Sequence, residues 1–144
     1  MIEWFRWAKA SIYNHFNQLS FNKKFDGIET DKTEFQDWCE IRIEGPRLME
    51  TTRENFIYDY GVNIECLSTD MKDAYKLDAM IGEVVAYMLE CIPLKKFGEL
   101  TEETGEYLIR SSEVQMYPFS TPAGVEVKRC QIETNYRLRL NRSL

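Results

Sequence analysis

Between Cys130 and Leu140 the chain alternates without a break. Cys130, Ile132, Thr134, Tyr136, Leu138 and Leu140 take every second position, and Gln131, Glu133, Asn135, Arg137 and Arg139 fill the gaps. Successive side chains of a strand point to opposite faces, so this run specifies a long β-strand with one buried face. Arg129 continues the polar row, but Val125 and Val127 have the opposite parity. That switch predicts a bulge or bend near Lys128-Arg129.

A second two-faced ribbon lies upstream. In WCEIRIEGP, Cys39, Ile41 and Ile43 point one way and Trp38, Glu40, Arg42 and Glu44 the other. Pro46 has no N–H for a ladder, which predicts that the strand stops at Gly45-Pro46. The polar linker RLMETTREN follows. Then Phe56, Tyr58, Tyr60, Val62, Ile64 and Cys66 alternate with Asp59, Asn63 and Glu65. The stretch 35–67 reads as one long hairpin. Its arms exceed the usual five or six residues, so one end is expected to protrude or to pair with another chain.

Two segments have helical spacing. Ile2, Phe5, Ala8, Ile12, Phe16 and Leu19 define a stripe over 2–19. Trp4 and Trp7 widen it, as a deeply buried helix or a contact with a neighbouring subunit would require. His15 in this helix is expected at the surface or half-buried, with no obvious partner. Over 70–92 the stripe is Ala74, Leu77, Ile81, Val84, Val85, Met88 and Ile92. Asp70 is the expected N-cap and Pro93 the expected stop. Gly82 suggests a close helix–sheet approach. Residues 20–34 read as a loop, with a short strand around Phe21, Phe25 and Ile28 as an option. Residues 94–140 supply the last strands: a short edge strand, a Gly98 to Glu106 loop, one strand over 107–117, and the C-terminal strand. Strands in blocks with helices between them define a single α+β domain, mainly one antiparallel sheet flanked by two helices.

The chain has 144 residues, enough for one domain, and a net charge of -6. An acidic balance disfavours a scaffold that grips phosphates, though not one that nucleic acid merely passes. No apolar run reaches the roughly 20 residues of a membrane span, and Glu3 in the first segment is foreign to a signal peptide. The expected setting is a reducing cytoplasm. Cys39, Cys66, Cys91 and Cys130 have no metal or redox spacing and are expected to be buried free thiols.

No catalytic set emerges. The one histidine leaves no cluster for a metal or a triad, and neither a phosphate loop nor a glycine-flanked nucleophile occurs. Glu40 and Glu44 stand about 13 Å apart on one strand face, too far for a glycosidase carboxylate pair. No enzyme activity and no cofactor are expected. Arg129, Arg137, Arg139 and Arg142 crowd the C-terminal strand without aromatic residues on their face, so pairing with acidic stripes of the same sheet or a neighbouring subunit is expected rather than base stacking.

The runs DWCEIRIEGP, NFIYDYGVNIECLST, DAYKLDAMIGEVVAYML, CIPLKKFG and QIETNYRLRL together resemble the neck and tail-terminator proteins of tailed bacteriophages, from about Trp38 to Leu140. The likeness is one of strand and helix pattern. It implies a structural virion protein, assembled in the host cytoplasm. Such a protein forms a hexameric or dodecameric ring that caps the tail tube and docks to the head connector, while DNA passes through the lumen unread. It implies no cofactor and no membrane. It carries over no individual residues. The subunit-interface candidates, Trp4, Trp7, Glu40, Arg42, Glu44, Arg47, Arg53, Arg137 and Arg139, come from charge and exposure patterns. Glu99, Glu102, Glu103 and Glu106 either line the lumen or keep their loop soluble. Two rivals stand beside this reading. One is a cytoplasmic adaptor or inhibitor with an exposed strand. The other is a small-ligand domain with a pocket at Tyr58, Tyr60 and Met88.

Overall fold

The computed structural model describes residues 2–25, 37–69, 74–96, 102–119 and 128–141. They form α1 (Ile2–Phe16), β1 (Lys23–Phe25), β2 (Asp37–Thr51), β3 (Asn55–Ser68), α2 (Ala74–Met88), β4 (Ile92–Lys96), β5 (Glu102–Arg110), β6 (Gln115–Phe119) and β7 (Lys128–Asn141). The order in the sheet is β1-β2-β3-β7-β5-β4, with β6 also on β7. Every pairing is antiparallel except that of β1 with β2. This is the α+β domain that the alternating runs predict, with one parallel edge strand added.

The alternation decides the faces. Tyr60, Val62, Ile64 and Cys66 of β3 are buried, as are Cys130, Ile132, Thr134, Tyr136, Leu138 and Leu140 of β7. They share one core with Ala8, Ile12 and Phe16 of α1 and Met80, Val84 and Met88 of α2. Burying an aliphatic side chain of this size contributes about 1.5–3 kcal/mol, so the two helix stripes hold the sheet from one side. The α2 helix lies along β3 and β7, and α1 along β4 and β2. The Ser11 hydroxyl accepts the Lys95 N–H at 2.9 Å, tying α1 to β4.

Several boundaries differ from expectation. The β2 strand runs through Gly45 and Pro46, whose peptide bond is cis, to Thr51. A register shift between Glu44 and Arg47 absorbs the residue that cannot donate, as bulges on edge strands do. The first helix ends at Phe16, and Leu19 joins the core beyond it. The second ends at Met88. Ile92 and Pro93 belong to β4, where an edge position tolerates the missing donor. Within the expected loop, the optional short strand is present as Lys23–Phe25. Glu102 to Glu106 lie in β5 rather than in a loop.

The expected strand over 107–117 is broken into β5 and β6. Arg110 opposes Tyr136 and Gln115 opposes Glu133, five steps along one chain against three along the other. The surplus is taken up around Ser111, whose N–H reaches the Asn135 carbonyl at 2.8 Å. Gly82 is exposed, with nothing within 4 Å of a Cβ placed there, so it permits no close approach. The expected N-cap Asp70, Ile28, the parity switch at Val125 and Val127, Glu99 and Arg142 lie outside the described residues.

Candidate interaction surface

Both helices pack on one face of the sheet, so the other face is the candidate surface. It carries the second half of every alternation. Along β2 it bears Glu40, Arg42, Glu44, Arg47 and Glu50; along β7 it bears Arg129, Glu133, Asn135, Arg137 and Arg139. A β2 row of alternating charge, three glutamates with two arginines, and a β7 row rich in arginine therefore share one face of one chain, with β3 between them.

The register sets what each charge meets. Trp38 Nε1 donates to Glu40 Oε1 at 3.2 Å, and Arg129 pairs with Glu65 at 3.5 Å. Asp59 lies between Arg47 on β2 and Arg137 on β7 in the ladder, and is buried to 6% exposure. Its Oδ1 accepts the Ser111 hydroxyl at 2.7 Å. Glu44 stands opposite Gly61, and Ile57 stands between Glu50 and Arg139. Those three charges thus have uncharged neighbours across the ladder.

The distal part of β2 is the most open stretch. All eight residues from Glu44 to Thr51 are exposed, and Leu48 and Met49 are among the exposed large apolar side chains. The tip is closed by Thr52, whose N–H donates to the Asn55 carbonyl at 2.8 Å while its Oγ1 accepts the Asn55 N–H at 2.9 Å. Arg53 is exposed on that turn. Leu48, Met49 and Glu50, expected in a polar linker, belong to this strand. The adjacent apolar pair was the signal that the stretch is more than a turn.

Other expected residues fall elsewhere. Trp4 and Trp7 are half-buried, edge to face at 5.1 Å, with Lys96 Nζ 5.6 Å from the Trp7 ring. Glu102 and Glu103 begin β5 opposite Lys96 and Lys95, and Glu106 is exposed farther along it. His15 is buried, contrary to expectation, because the helices meet there: its Nε2 lies 2.8 Å from the Tyr87 carbonyl oxygen, against the Tyr87 ring.

Of the four cysteines, Cys91 is exposed, just after the second helix, and the other three are buried. Cys39, Cys66 and Cys130 form a row across three adjacent strands, with the first two sulfurs 3.8 Å apart. The contact with Cys39 and burial hold the Cys66 thiol far above its usual pKa.

The expected ligand pocket is filled by the chain itself. Tyr60 and Met88 are fully buried, and the Phe5 ring sits 4.7 Å from that of Tyr58. A recess of about 290 Å³ lies instead on the outer face, between Glu44, Asn63, Glu133 and the Ser112–Gln115 segment. Its hydroxyls are engaged in the fold: Thr134 Oγ1 donates to the Ser112 carbonyl at 3.0 Å, and Ser112 Oγ accepts the Asn135 N–H at 2.9 Å.

Comparison with known proteins assigns no family: no family model and no curated protein matches the chain.

Proposed function

We propose that the protein is a structural, ring-forming component of a tailed-phage neck, which ends the tail tube and receives the head connector while DNA passes through the lumen. One observation carries the reading. An eight-residue strand segment, Glu44 to Thr51, is exposed along its whole length within the chain. Long exposed edges invite pairing with another chain. A strand of this length that covers nothing of its own is expected to cover something else.

The charge pattern supports the same reading. A net charge of -6 per chain, multiplied in a ring, would repel DNA and let it slide. Head-to-tail contacts between unlike patches close a ring when the rotation allows. Glu50 near the tip of β2 and Arg139 near the end of β7 are unlike charges at the two sides of one face. The same open strand supports an adaptor that captures an extended segment of another protein.

The test is tube elongation. Adding the purified chain to polymerising tail-tube protein is expected to shorten the tubes and leave it at one end, as seen in negative-stain images. Tubes of unchanged length with no terminal density would favour the adaptor.

A further inference from the structure

We propose that neighbouring copies join strand to strand, the outer edge of β2 in one copy adding in parallel beside β7 of the next. This deepens the ring reading above and rests on it.

Two edges of the same distal blade are open among the described residues. The short β1 pairs with β2 only from Cys39 to Ile41, so β2 has no strand on that side from Arg42 onward. On the other side, β6 and β5 accompany β7 only as far as Arg137. The backbone groups point the right way. Cys39 N–H reaches outward to the Asn22 carbonyl. Ile43 shares its parity, and so directs its own N–H and C=O to the open side. Asn135 bonds outward to Ser111 and Ser112, and Arg139 shares its parity. Both β2 and β7 run antiparallel to β3, hence parallel to each other. Copies related by rotation about an axis along the strands would present them in the same sense.

Charge selects the partner. Glu50 on one edge and Arg139 on the other both oppose Ile57, so they stand at one level of the blade and each has an uncharged ladder neighbour in its own chain, whereas Arg47 and Arg137 at the next level share Asp59 between them. Two strand spacings, about 10 Å, separate the rows within a copy. The junction would bring Glu50 of one copy within one spacing, about 5 Å, of Arg139 of the next, where opposite charges fix register and reject wrong partners. Leu48, half exposed and on the helix side opposite Tyr58, would be covered by the added strand.

Charge reversal tests the junction. Two variants are compared with the wild-type chain by light scattering, after circular dichroism shows equal folded content: Arg139→Glu and Glu50→Lys. Each alone should raise the concentration needed for assembly by about tenfold or more. Mixed in equal amounts they should assemble again, because every junction in an alternating ring then joins opposite charges. Wild-type rings with variants that assemble equally well would overturn the junction and leave the ring standing. Variants that fail singly and also fail when mixed would overturn the pairing of these residues. A wild-type chain that never assembles, alone or on tubes, would remove the ring and the junction together.

Discussion

The Tyr136 hydroxyl donates to the carbonyl oxygen of Met88 at 2.8 Å, with both side chains fully buried. Met88 is the last residue of α2, and the final carbonyls of a helix have no partner within it. The central strand therefore satisfies the helix end and fixes where α2 lies along the sheet. Tyr136→Phe leaves that carbonyl buried and unpaired. Stability is expected to fall by about 1–3 kcal/mol, read as a lower urea midpoint with an unchanged slope.

Alkaline pH should act through the same residue. Burial raises the pKa of both Tyr136 and Tyr60 well above the ordinary tyrosine value. The folded state then holds these protons more tightly than the unfolded state. Their contribution is fully present below about pH 10, the unfolded tyrosine pKa, and is lost as pH rises above it. Urea midpoints should fall across that range. Two of the eight tyrosines should form tyrosinate only as the chain unfolds, followed by ultraviolet absorbance.

Two glycines predict opposite outcomes. Gly45 has φ of 119°, and a Cβ there would lie 2.7 Å from the Asp59 carbonyl oxygen. Gly45→Ala should cost about 1–3 kcal/mol. Gly82→Ala meets nothing and relieves a helix interior of its most flexible residue, so it should stabilise by about 0.5–1 kcal/mol. Thermal midpoints of the two variants should move in opposite directions from wild type.

Thiol labelling should separate the cysteines. Cys91 is exposed, whereas Cys39 and Cys66 are wholly buried and Cys130 nearly so. Thiolates are the reactive form; burial holds Cys130 as a thiol, and the contact with Cys39 together with burial does the same for Cys66. Native protein treated with an aromatic disulfide reagent should release one equivalent quickly and three more only in denaturant. Fast release of two or more would contradict the packing of the cysteine row.

The faces of β3 and β7 were legible because period-two alternation survives wherever one face is buried and the other is not. The same rule put Glu40, Arg42 and Glu44 together on the outer face. It failed at β2 beyond Gly45, where both faces are exposed and no alternation is needed. The path through Pro46 depends on a bulge that the letters do not show. His15 was misjudged because its partner is a backbone carbonyl of the other helix. The cysteine row depends on register, which needs all three strands aligned. Among the described residues, the openness of the β2 and β7 edges follows from where β1, β5 and β6 stop, and no local pattern announces that.

The most direct measurement is the mass of the purified chain by light scattering, with negative-stain images of the same peak, alone and after addition of tail tubes. A hexamer- or dodecamer-sized particle with a central hole, in solution or at the tube end, is the expected result. A species near 17.1 kDa under both conditions, with bare tube ends, would contradict it.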